Sequence, residues 1–143
     1  MSTAAQLSLR SLRTMHAILL VSVLLYAVIG EHVEHQAFTG NQRALSAMTA
    51  LAGLVVLLAA VLRKRMVAPS KDVLRKEPND LRALALWRFG TLISLVLCEA
   101  LAMVGFVVRF LGYPLQQAAL FYVAAVVLML VWWPRLDPSA LGE

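Results

Sequence analysis

Residues 88–109, RFGTLISLVLCEALAMVGFVVR, decide how the rest of the chain is read. Arginines stand at both ends. Between them, residues 89–108 are twenty residues with one charge, Glu99. A twenty-residue helix is about 30 Å long, the hydrocarbon thickness of a bilayer. Glu99 is the eleventh of the twenty and falls near the midplane. A charge at that depth costs from about 3 kcal/mol upward. The two arginines lie roughly 15 Å or more away along the same helix, out of reach. A partner for Glu99 must come from another helix, another subunit, water or a ligand.

Three more apolar blocks extend the pattern. Residues 14–30, 44–62 and 115–133 are each free of Asp, Glu, Lys and Arg. The 143-residue chain is 61% hydrophobic, and its mean hydropathy is +0.78. Soluble domains average about 45–50% apolar residues, and here the excess sits in blocks. The expected fold is all-α: a four-helix transmembrane bundle of two hairpins, a single membrane domain over residues 1–143.

Charge placement sets the expected orientation. Eleven of the thirteen Lys and Arg fall in the leader, in residues 63–82, or at Arg88 and Arg135. Arg43 and Arg109 are the two on the other side. Both termini and the 63–82 loop are therefore expected in the cytoplasm, the membrane being a plasma membrane, bacterial inner by expectation. Trp87, Trp132 and Trp133 then read as interfacial anchors on that side. The net charge of +5 is read as topology and attraction of anionic lipid head groups to the 63–82 loop, not as nucleic-acid binding. In that loop Pro69 and Pro78 are expected to break the chain around a short surface helix with Ser70 as its N-cap. Gly112-Tyr113-Pro114 reads as a tight turn.

Glu99 is the leading candidate for chemistry, as a proton- or cation-binding residue; the alternative is a structural carboxyl hydrogen-bonded across a helix interface. Depth matching offers Ser22 and Tyr26 on the first span, Thr49 on the second and Tyr122 on the fourth as partners. Each can hydrogen-bond to a carboxyl and none can neutralise it, so the acid is expected to hold its proton at rest. On the same helix Thr91, Ser94, Cys98, Ala102 and Gly105 recur at three- and four-residue spacing, and Ala50 and Gly53 do so on the second span. Such small-residue faces let helices approach closely, within the chain or between copies. The expected partners are the bilayer and either further copies of the chain or the subunits of a membrane complex.

Other chemistries find little footing. Cys98 is the one cysteine, so no intrachain disulfide or cysteine metal site can form. His32 and His35, with Glu31 and Glu34, make at most a partial metal site. No histidine lies at mid-depth, as haem inside a membrane usually requires. No glycine-rich phosphate loop, nucleophile–base pair or paired carboxylates occur, and neither a cofactor nor enzymatic catalysis is expected. An offset of 75 residues aligns Arg13 with Arg88 and Gly30 with Gly105, hinting at a parallel duplication in which Leu24 matches Glu99.

Residues 94–108, SLVLCEALAMVGFVV, resemble the carboxylate helix of the rotary ATPase proteolipid, the c-type subunit. That helix commonly carries an acid among small apolar residues with a glycine about six residues later; Cys98-Glu99-Ala100-Leu101 and Gly105 fit the form. The resemblance implies a reversible proton or sodium site at Glu99, and ring packing through Ala100 and Ala102. The pattern departs in three ways. The neighbouring spans are Leu/Val/Ala-rich rather than glycine-rich, Glu99 is on the first helix of its pair, and the basic loop is long. A small four-helix cation antiporter built around one membrane glutamate is a further fold-level analogy.

Overall fold

In the computed structural model the chain is all-α, and residues 3–32, 41–77 and 79–135 are described. Helix α1 spans Thr3–His32, α2 Gln42–Leu62, α3 Ala68–Lys76, α4 Leu81–Phe110 and α5 Leu115–Val131. A π turn, Arg63–Val67, joins α2 to α3 without a break. Four helices pack together, and three are long and apolar enough to cross a membrane: residues 6–32, 42–76 and 81–110. The fourth, α5, is apolar but shorter at 17 residues. Leu24, Leu25, Leu54, Leu57, Leu120 and Val131 are among the large apolar side chains exposed on the outer faces. Helices apolar on their outer as well as inner faces suit a lipid surround.

The bundle is organised around α4. It packs against α1, α2, the π turn, α3 and α5, while α1 and α2 scarcely touch each other. The expected pair of hairpins is therefore half right. Helices α4 and α5 form a close antiparallel pair, but α1 and α2 are held together mainly through α4. The reason lies in the side chains. Thr91, Ser94, Cys98, Ala102 and Gly105 are all buried on α4. On α2 the buried small residues are Ala52 and Ala59. Ala50 and Gly53 face outward, and a Cβ added at Gly53 would meet nothing within 4 Å. Among the described residues, the small face expected on α2 is exposed.

The tight α4–α5 connection follows from local chemistry. Gly112 has φ of 83°, the left-handed region open to glycine. Its N–H donates to Arg109 O, and Tyr113 N–H donates to Val108 O. This Schellman arrangement satisfies the last carbonyls of α4, and Pro114 then starts α5. Further along, a Cβ on Gly105 would lie 2.9 Å from Phe121 Cβ and 3.1 Å from Ala118 O. Gly105→Ala is expected to lower stability by about 1–3 kcal/mol through overpacking. Gly53→Ala, on the open face, is expected to raise it by about 0.5–1 kcal/mol, the helix-propensity gain of alanine over glycine. Unfolding of both variants in mixed micelles, followed by circular dichroism, checks the pair.

At the basic end the structure departs from the sequence expectations. Residues 63–76 are helical rather than a loop, and Pro69 does not break the chain. A proline ring clashes with the carbonyl four residues back in an α-helix. Here the wider π turn precedes it, with Ala68 N–H bonded to Arg63 O, five residues back. Ser70 is not an N-cap; it is inside α3, and its hydroxyl donates to Met66 O at 2.6 Å. Pro78 lies outside the described residues. Asp80 caps α4 by accepting from Arg82 N–H at 2.8 Å and Ala83 N–H at 3.1 Å. The polar lead expected over residues 1–13 is helical from Thr3 onward and forms the first turns of α1. Leu9 and Leu12 join Val67, Leu74, Ala83, Leu84 and Trp87 in a second apolar core. Trp87 is 0% exposed, so it is a core residue and not an interfacial anchor.

Candidate functional site

The site forms where α1 crosses the middle of α4. The two helices run parallel, since Ser22 meets Glu99 and, further along both, Glu31 meets Arg109. Ser22 Oγ stands 2.5 Å from Glu99 Oε1, and Tyr26 OH donates to the same oxygen at 3.2 Å. Residues 22 and 26 are one helical turn apart, so both hydroxyls project from one face of α1. Ser22 Oγ also stands 3.2 Å from Leu19 O. The Tyr26 ring leans on Phe106 of α4, with centroids 6.0 Å apart. That contact limits where the phenol can point. Glu99, Ser22 and Tyr26 are all half-buried, neither sealed in the core nor on the open surface.

The other two depth-matched candidates do not reach Glu99. Tyr122 OH lies 3.5 Å from Tyr26 O, so it touches the backbone of a partner and not the acid. Thr49 donates to Leu45 O at 2.9 Å and is exposed on α2. Cys98, next to Glu99 in sequence, is buried as a free thiol among apolar side chains.

The non-basic end carries a polar clamp that the sequence left unassigned. Arg109 Nε donates to Glu31 Oε1 at 2.7 Å and Nη2 to Oε2 at 3.4 Å. Its Nη1 donates to Tyr113 O at 3.1 Å. Tyr113 OH donates to Asn41 O at 2.8 Å. One arginine thus ties the end of α1 to the α4–α5 turn, and the turn's tyrosine ties on the start of α2. His32 Nδ1 is 2.8 Å from Val28 O on its own helix. His35 and Glu34 lie outside the described residues. Among the described residues, no three His, Cys, Asp or Glu side chains gather into a metal-holding group.

A second polar group, near the basic end, was missed in the sequence. His16 is 0% exposed, and its ring meets Trp133 edge-on at 4.4 Å. Among the described residues, neither His16 nitrogen has a hydrogen-bond partner, and the same holds for Thr91 Oγ1 and Arg63 Nη1. The Arg63 guanidinium lies over the Trp132 ring, 5.4 Å from its centroid. A signal was available, because His16 continues the buried positions Leu9 and Leu12 toward Val23 at helical spacing. Trp132 and Trp133 are half-buried against these groups.

No family model, curated protein or solved structure matches the chain, and no family is identified.

Proposed function

We propose that this is a small integral membrane protein that binds a proton reversibly at Glu99. The observation that supports the reading is the pair of hydroxyls on Oε1, together with the carbonyl behind Ser22. With Glu99 ionised, Ser22 and Tyr26 both donate to Oε1. With a proton on Oε1, the acid donates to Ser22 Oγ. Ser22 then turns its own hydrogen to Leu19 O, 3.2 Å away, and Tyr26 still donates to the second lone pair of Oε1. Both protonation states are hydrogen-bonded with no heavy atom moved. A carboxyl that gains and loses a proton inside a membrane needs that property, because an unsatisfied polar group there is costly. The proteolipid-like run at residues 94–108 points the same way. It also suggests assembly with further copies or with a larger complex, for which the open Ala50/Gly53 face of α2 offers room.

A second reading rests on the same contacts. Glu99 joins α1 to α4, so it serves equally well as the bond that fixes α1 in an accessory subunit.

Labelling with an apolar carbodiimide, which attacks protonated carboxyls from the bilayer, separates the two. In nanodiscs the expected result is modification at Glu99, mapped by mass spectrometry, fading as pH rises from 5 to 9 and absent in Glu99→Gln. Absence of label at every pH in folded wild-type protein would overturn proton exchange and leave the accessory reading.

A further inference from the structure

We propose that the groove between the π turn and the end of α5 binds the phosphate headgroup of an anionic phospholipid. The groove has a volume of about 330 Å³ and is lined by Ala60, Arg63, Lys64, Val67, Lys71 and Trp132, among others. Three of these side chains are cations, and no carboxylate lines the groove among the described residues. Arg63 lies over Trp132 at 5.4 Å and has its Nη1 buried without a hydrogen-bond partner among the described residues. A guanidinium fixed on an indole face presents its remaining N–H groups in a rigid fork suited to a phosphate. Lys64 and Lys71 add point charges on the rim.

Position argues for a lipid rather than a soluble phosphate. The groove begins where the apolar run of α2 ends. Leu57, Leu58 and Val61 are exposed on the helix just before it. A molecule with its phosphate at Arg63 can lay acyl chains along that face, whereas free phosphate gains nothing from it. Trp132 stands where indoles favour the headgroup level. The π turn is what builds the groove's wall: it carries Arg63, Lys64 and Val67 on a helix that continues past the apolar run. This inference rests on the chain spanning a membrane and is independent of any proton binding at Glu99.

The test is native mass spectrometry of the purified protein in detergent, with phosphatidylglycerol or phosphatidylcholine of identical acyl chains. Wild type is expected to retain phosphatidylglycerol preferentially. Lys64→Gln/Lys71→Gln should weaken that retention roughly thirtyfold, from two lysine contributions compounded. Arg75→Gln/Lys76→Gln, an equal charge change at exposed positions of α3, should leave it unchanged. Equal retention of both lipids by wild type would overturn the proposal without recourse to any variant. Equal loss in both variant pairs would overturn it in favour of diffuse surface charge. Displacement of the lipid by millimolar inorganic phosphate would overturn it in favour of a soluble anion.

Discussion

Trp87→Ala should lower the stability of the folded chain by about 3–5 kcal/mol, the range for deleting a fully buried large aromatic side chain. Trp87 is 0% exposed. It packs with Leu9 and Leu12 of α1, Val67 of the π turn, Leu74 of α3, and Ala83 and Leu84 of α4. Helix α1, the π turn, α3 and α4 meet in that cluster, so the cavity cannot be closed by moving one helix. Dodecyl sulfate titration from mild micelles, read by circular dichroism, gives the free energy. A loss below about 1 kcal/mol would mean the indole was at the surface after all, as an interfacial anchor would be. The outcome bears on function, because this cluster fixes the start of α1, and the rest of α1 carries Ser22 and Tyr26.

Removing those two hydroxyls is the second large effect. In the Ser22→Ala/Tyr26→Phe variant, Glu99 loses both donors to Oε1. A hydrogen bond contributes about 0.5–1.5 kcal/mol net, and a buried partner left unsatisfied costs about 1–3 kcal/mol. The variant should therefore be about 2–4 kcal/mol less stable than wild type in the same dodecyl sulfate titration. Each single variant should show part of the effect. Unchanged stability in the double variant would mean that the two hydroxyls do not hold α1 against α4.

Much of the site was legible because depth is legible. The helical rise places Glu99 at midspan, and counting from the same end of the first block places Ser22 and Tyr26 beside it. Depth does not give azimuth. Thr49 has the right height but stays exposed, its hydroxyl bonded to Leu45 O of its own helix. Tyr122 has the right height and the right helix pair, and still stops at the Tyr26 carbonyl. The Ala50/Gly53 face shows the same limit: small residues allow a close approach but do not say which neighbour makes it.

Apolar blocks, the lone midspan acid and the basic bias of one end were settled by the sequence, because they depend on composition and on the fixed rise of a helix. So was the turn at Gly112, which is a local φ preference. Tertiary structure alone decided that α4 is the hub, that α1 and α2 meet it separately, and that Trp87 and His16 are interior. It alone decided that the proline-containing segment 63–76 stays helical through a π turn. Each of those depends on how the helices rotate about their axes to fit side-chain volumes together. That choice belongs to the whole bundle and is not encoded in any single stretch.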